Sequence, residues 1–428
     1  MEAKKLTGVE GTSYLFLKKR IGQTSSWKNN ENEGGLFMKK IVALFAAFTI
    51  VLSGCGNSNN MKESEAAPKN MSNETRNSPR LEQINSPQKK QVDISKAETN
   101  HGKTKIETLG FLEPIEAKQS IKDVQESVND LTYVAFFSYQ VNKDGSLKPI
   151  KDYAALQEVK KSKAMPMMVL TNFIDGNFSP EIAHNIFTDK TASKTLIGSV
   201  ISTMKQKGYK ALNIDFEHIK EKDRELYNGF LETIIPQVQK EGFKVSTALA
   251  PKTSDEQKGP WHGAHDYKRH GELADFVVLM TYEWGWSGGP PMAVAPVKQV
   301  EKVVKYATSV IPSEKIVMGA PLYGYDWTLP YKKGNKFAKR VAPAEAHDLA
   351  LKEDATVKYD NESQAPFFNY KDDSGKEHVV WFENEQSAEA KNQLVKKYKL
   401  RGLGYWVLGE PFPENWTLLR DQFEIAHK

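Results

Sequence analysis

The stretch ALNIDFEHI, residues 211–219, sets apolar Leu212, Ile214 and Phe216 against polar Asn213, Asp215 and Glu217 in strict alternation. Residues two apart on an extended strand share a face and lie about 6.6 Å apart along its axis, close enough for two carboxyls to interact through a shared proton. Such sharing raises the pKa of one member. It makes Glu217 a candidate general acid near neutral pH and leaves Asp215 to hold and tune it. The chemistry depends on where the polar row points, because in a half-buried strand it would simply be the wet face.

The elements around the stretch decide this. From Ile106 onward, short apolar runs alternate with amphipathic stretches, the pattern of βα units. Eight runs can be counted, at 106–114, 131–141, 164–173, 211–219, 244–251, 274–284, 315–324 and 400–409. Eight units of this kind predict an α/β fold, a (β/α)8 TIM barrel. The gap between strands 7 and 8, about 326–382, is long and includes an Asp-Asp-Ser-Gly turn, so it reads as a small α+β insertion. In a barrel a strand has no wet face. Leu212, Ile214 and Phe216 then lie under the helices, and Asn213, Asp215 and Glu217 line the interior, where unpaired carboxylates are costly. Glu217 falls nearest the C-terminal strand end, where barrel enzymes keep their chemistry.

The N-terminal part reads differently. Lys39 and Lys40 precede an apolar run from Ile41 to Leu52, which leads into Leu52-Ser53-Gly54-Cys55. A dozen apolar residues fall short of the roughly 20 that span a bilayer, and the small residues that close the run resemble the bacterial lipobox. Residues 38–54 are therefore read as a lipoprotein signal peptide, and Cys55, the single cysteine, as the lipidated first residue of the mature chain. Residues 1–37 lie upstream of that start and are read as untranslated, with Met38 as the initiator. Residues 55–105 are rich in Asn, Ser, Lys, Glu and Gln and form a disordered tether from the lipid to the domain. This places the domain outside the cytoplasmic membrane, anchored to its outer face.

Charge narrows the partners. Residues 1–54 carry 8 of the 59 Lys and Arg and 4 of the 54 Asp and Glu, which leaves 51 against 50 in the exported part. With no basic stripe on the domain, nucleic acid is excluded as a partner. A metal-dependent hydrolase is disfavoured, since none of the nine histidines shows HExxH or similar spacing. His262 and His265 read as loop residues, and neither a cofactor nor a metal is expected.

The row in GYKALNIDFEHI resembles the Asp-Gly-x-x-Asp-x-Asp-x-Glu signature of family 18 glycoside hydrolases, the chitinase-like barrels, over essentially all of Ile106 to the C-terminus. The resemblance implies that Glu217 is the proton donor and that Asp215 orients the substrate acetamide. Asn213 stands where chitinases have another aspartate, and Lys210 and Ala211 replace the opening Asp-Gly. Met280-Thr281-Tyr282 on the sixth run resembles the family's Met-x-Tyr-Asp motif, with Glu283 in place of the aspartate. Tyr282 would donate its hydroxyl to the acetamido carbonyl, and Trp406 would floor the subsite of the reacting sugar. Asn172, Asn213, Met280, Glu283, Trp284, Tyr323 and Trp406 are the substrate-binding candidates.

The implied mechanism is substrate-assisted: the 2-acetamido group of the sugar, not a second carboxylate, attacks the anomeric carbon, with retention. The third run has MVLTNF where chitinases carry Ser-x-Gly-Gly, which is closer to the spore cortex and peptidoglycan N-acetylglucosaminidase branch. LysM repeats, frequent in that branch, are not visible. The expected partner is an N-acetylglucosamine-containing glycan, peptidoglycan or chitin, and the expected form is a monomer. Chitin hydrolysis and a lectin-like barrel without catalysis are the alternatives. Loss of the acid marks such lectins, and Glu217 is present.

Overall fold

A computed structural model of the protein describes residues 102–427. The signal segment, Cys55 and nearly all of the tether lie outside the described residues. The strands of the barrel are β1 (Thr104–Leu112), β2 (Tyr133–Val141), β3 (Met165–Thr171), β4 (Ala211–Asp215), β5 (Lys244–Leu249), β6 (Phe276–Leu279), β7 (Ile316–Pro321) and β8 (Gly402–Trp406). Neighbours pair in parallel around the ring, and β8 closes it on β1 through Glu107 opposite Gly402. Each strand falls within, or within two residues of, one of the eight apolar runs.

Three of the boundary differences bear on the domain start and the site. The first strand begins at Thr104, so the last two residues assigned to the tether belong to the barrel. β4 ends at Asp215, which leaves Phe216 and Glu217 just beyond the strand. β6 ends at Leu279, so Met280 to Glu283 sit on the loop that follows rather than on the strand.

Strand alternation sorts the side chains into two apolar layers. Leu109, Phe111, Tyr133, Ala135, Met167, Val169, Ala211, Phe276, Val278 and Val317 fill the barrel interior. Leu212, Ile214 and Phe216 turn outward into the larger layer between strands and helices. The helix before β4, Lys190–Lys207, shows why these segments fold locally. Asp189 caps it by accepting from the amides of Thr191 and Ala192, and Gly208 ends it at φ 78°, a left-handed position that glycine adopts without strain.

Between β7 and β8 the chain builds a five-stranded antiparallel sheet in the order 339–341, 324–328, 377–381, 365–371, 358–360, with the helix Pro343–Lys352 beside it. Val341, Ala346, Ala350, Phe368, Val380 and Phe382 form its own apolar core. The sheet begins two residues before the expected boundary. At the Asp-Asp-Ser-Gly turn, the Asp372 carboxylate accepts from the amides of Ser374 and Lys376, both at 2.9 Å, and Gly375 takes φ 79°.

Candidate active site

A cleft of about 380 Å³ opens at the C-terminal ends of the strands. Asp215, Glu217, Met280, Tyr282, Glu283 and Trp406 line it together, although they are spread over nearly two hundred residues of sequence. Apolar rings from Phe111, Phe137, Phe173 and Trp286 make up much of the wall. Trp406, at the end of β8, is fixed edge-on against Phe137, with ring centroids 4.8 Å apart.

Because Glu217 lies beyond β4, the strand ladder does not hold it. Side chains do so instead. Asn172, one residue past β3, accepts at Oδ1 from the Glu217 amide and donates from Nδ2 to the Glu217 carbonyl, both at 2.9 Å. His265 accepts the Ala250 amide at Nδ1, 2.7 Å away, so its proton is on Nε2, which donates to the Phe216 carbonyl at 3.1 Å. Burial pushes the His265 imidazole down to about 4, so it is neutral at any ordinary pH. The indole Nε1 of Trp261 donates to Glu217 Oε2 at 2.6 Å.

Burial raises the Asp215 carboxyl well above the usual carboxylate range. Glu217 is raised by burial first and then by the nearby Asp215, while the Trp261 hydrogen bond pulls the other way. The pair is set to hold a proton near neutrality. Glu283 is pushed up to about 7 by burial, against the hydroxyls of Tyr323 and Tyr325, which both donate to its Oε1. Asp215 Oδ1 and Glu283 Oε2 are buried with no hydrogen-bond partner among the described residues. Burial also keeps the Tyr282 hydroxyl protonated, and hence a donor. Gly319 on β7 makes room for its ring: a Cβ there would lie 2.8 Å from Tyr282 Cε1 and 2.4 Å from the Leu279 carbonyl oxygen.

The family described as Glycosyl hydrolases family 18 matches residues 100–410. The chain belongs to this family. It is a glycoside hydrolase. The cortical fragment-lytic enzyme of Bacillus subtilis (strain 168) is 43% identical over 332 residues, 76% of each chain. The crystal structure of the Bacillus cereus spore cortex-lytic enzyme SleL matches with a TM-score of 0.74 and 40% identity, again over 76% of each chain. A chitinase from Chromobacterium violaceum, at 23% identity, shares the fold with a TM-score of 0.67 over 74% of this chain and 98% of its own.

Four of the residues expected to bind substrate in this family 18 cleft take other positions. Asn172 has its amide spent on Glu217 and on the Ser179 carbonyl, so it positions the acid rather than touching sugar. Asn213 is fully buried below the cleft and donates to Ser246 Oγ at 2.8 Å. Tyr323 is fully buried behind Glu283. Trp284 packs against the layer between strands and helices, and Trp286, two residues on, lines the cleft in its place. The residues missed by sequence reasoning are Trp261, His265, Tyr325 and Trp286. The first two had a visible signal, the Trp-His-Gly-Ala-His run at 261–265 in an otherwise polar loop. His265, expected in an ordinary loop, is only 1% exposed.

Proposed function

We propose that this glycoside hydrolase cleaves β-1,4 bonds after N-acetylglucosamine in peptidoglycan or spore cortex fragments, with retention and with the substrate acetamide as nucleophile. The observation that carries the reading is the buried Asp215 beside Glu217, together with the Tyr282 hydroxyl at the same cleft. Glu217 protonates the glycosidic oxygen as its bond to the anomeric carbon breaks and that bond's electron pair goes to the leaving oxygen. The acetamido carbonyl oxygen bonds to the same carbon and gives an oxazolinium ion. Asp215 meets the charge developing on its nitrogen, and Tyr282 donates to the acetamido oxygen. Water then adds at the anomeric carbon as the bond from that carbon to the acetamido oxygen breaks, its electron pair returns to the acetamide, and a proton of the water goes to Glu217. Glu283, with Oε2 buried and unpartnered and its carboxyl pushed up to about 7, is suited to a sugar hydroxyl. The names of the cortex-lytic relatives support the choice of polymer.

A thiazoline analogue of N-acetylglucosamine, which mimics the bicyclic intermediate, is expected to bind more tightly than the parent sugar. Asp215→Asn and Tyr282→Phe are each expected to reduce that preference. A stable glycosyl adduct on any carboxylate, trapped with a slow fluorosugar and seen by mass spectrometry, would sink the substrate-assisted reading. Mass spectrometry of products from purified wall, cortex fragments and chitin oligomers names the bond by the sugar at the new reducing end; N-acetylmuramic acid there overturns the assignment. For location, the Leu-Ser-Gly-Cys sequence supports a lipid anchor at Cys55. Cys55→Ala is expected to release the domain from the membrane fraction, and equal retention of the variant rules the anchor out.

A further inference from the structure

The loop Ala250 to Asp266, which follows β5, is built as a rigid arm over the acid. Lys252 is fully buried and donates to the His265 carbonyl at 3.1 Å, tying the two ends of the arm together. The Tyr267 hydroxyl accepts the Lys252 amide and donates to the Ala250 carbonyl at 2.7 Å, which fixes the point where the arm leaves the strand. From this frame His265 reaches the Phe216 carbonyl, and Trp261 reaches the carboxyl of the next residue. Trp261 is itself set by its neighbours, since its ring lies nearly parallel to that of His218, 14° apart in plane.

The geometry points to Trp261 as a positioning residue that decides which oxygen of Glu217 carries the catalytic proton. An indole N–H is only a donor. The oxygen it meets at 2.6 Å, Oε2, must offer a lone pair, and the carbonyl oxygen of a carboxylic acid is its better acceptor. The acidic proton is then on Oε1, the oxygen left for the substrate. This is the only hydrogen bond on that carboxyl among the described residues, and it is the contact that makes the choice.

The inference rests on the acid role proposed for Glu217 and adds a constraint to both halves of its cycle. Oε1 loses its proton to the leaving oxygen, and the same Oε1 recovers one from the attacking water. The indole stays on Oε2 throughout and favours the carboxylate between the two steps. Other groups that face this carboxyl push in the opposite direction. Asp215 at the end of β4 and Glu283 after β6 both raise its proton affinity. Tyr282 and Tyr227 remain protonated beside it, and His218 and His262 line the same cleft. Trp261 is thus the counterweight that keeps Glu217 able to release its proton.

The test replaces Trp261 with 3-benzothienylalanine, which keeps the bicyclic shape and lacks the N–H, alongside Trp261→Phe. The basic limb of kcat/KM, which reports Glu217 losing its proton, is expected to move up by about half to one pH unit in both. kcat is expected to fall about tenfold with KM little changed, because proton placement and not sugar binding is lost. A wild-type pH profile in the benzothienyl variant overturns the proposal, since packing would then be the whole role. A second measurement needs no substrate. In the ligand-free enzyme the Trp261 indole 15N resonance is expected to titrate with Glu217 and to stop titrating in Glu217→Gln; an indole signal insensitive to either overturns it as well. If wild type hydrolyses no acetamido glycan while the indole still follows Glu217, the functional reading fails and the proton placement stands.

Discussion

Two sets of carboxyl groups in the barrel are held in opposite ways. At the N-terminal end, Glu107 on β1 forms an ion pair with Arg401, whose Nε and second terminal nitrogen both lie 2.7 Å from the one oxygen Oε2. At the C-terminal end, Asp215, Glu217 and Glu283 form no ion pair among the described residues. Their hydrogen bonds come from uncharged donors, Trp261, Tyr323 and Tyr325. A carboxylate answered by a guanidinium has its charge neutralised, and it can plug a barrel but has no reason to move a proton. Carboxyls buried without a cation keep their protons to higher pH, and that is what proton transfer near neutrality requires. The barrel thus carries ion-paired carboxyls that serve stability and unpaired ones that serve chemistry. The isosteric change Glu→Gln, made at three positions, separates them.

At Glu217 the change removes the proton and keeps the shape. Turnover is expected to fall by about 10²–10⁴ or more, while oligosaccharide binding persists. The melting temperature should hold or rise, because a carboxyl raised by burial is exchanged for a neutral amide. Hydrolysis near the wild-type rate would show that the unpaired end does not carry the acid.

At Glu107 the same change should act on the fold alone. It leaves the Arg401 guanidinium without its carboxylate over the Phe276 ring. Removing one partner of a fully buried pair costs about 3–5 kcal/mol. Both members here are slightly exposed, at 12% and 19%, so a loss of roughly 2 kcal/mol is expected. Chemical denaturation measures it. A kcat reduced along with the stability would mean that the two ends are not independent.

Much of the fold and part of the site were legible in the sequence. The eight runs and their spacing predict the barrel, and the strict alternation from Leu212 to Glu217 assigns each side chain to its layer. Both are local periodicities that a strand must obey. The contacts that finish the site are not local. Trp261 meets Glu217 across 44 residues and Tyr323 meets Glu283 across 40, and nothing in either segment announces its partner. Asn172 shows the same limit from the other side. Its place at a strand end marks it for the cleft, yet the early end of β4 left a backbone amide and carbonyl to be satisfied, and its amide went to them. Trp284 and Trp286 differ only in which side of a loop they take, and no periodicity sets that.

The third position, Glu283, tests the unpaired end through its effect on stability. Its carboxyl is pushed up to about 7 in the folded protein by burial, against about 4.3 in an unfolded chain. Between those values the folded state binds more protons than the unfolded one, so the stability this group provides falls as pH rises. It is fully present below about pH 4 and is lost as the pH passes through 7. Asp215 and Glu217, raised in the same direction, contribute slopes of the same sign. Glu283→Gln should therefore flatten the decline between pH 5 and 8 without abolishing it, by less than about 1.4 kcal/mol per pH unit, the limit for one proton. The amide oxygen can still accept from Tyr323 and Tyr325, so the variant should fold at acid pH as the wild type does. Denaturant melts across that range measure the difference. If the two proteins lose stability in parallel, Glu283 is ionised at neutral pH, and the Tyr323 and Tyr325 hydroxyls with the nearby Arg340 charge are enough to hold a buried carboxylate.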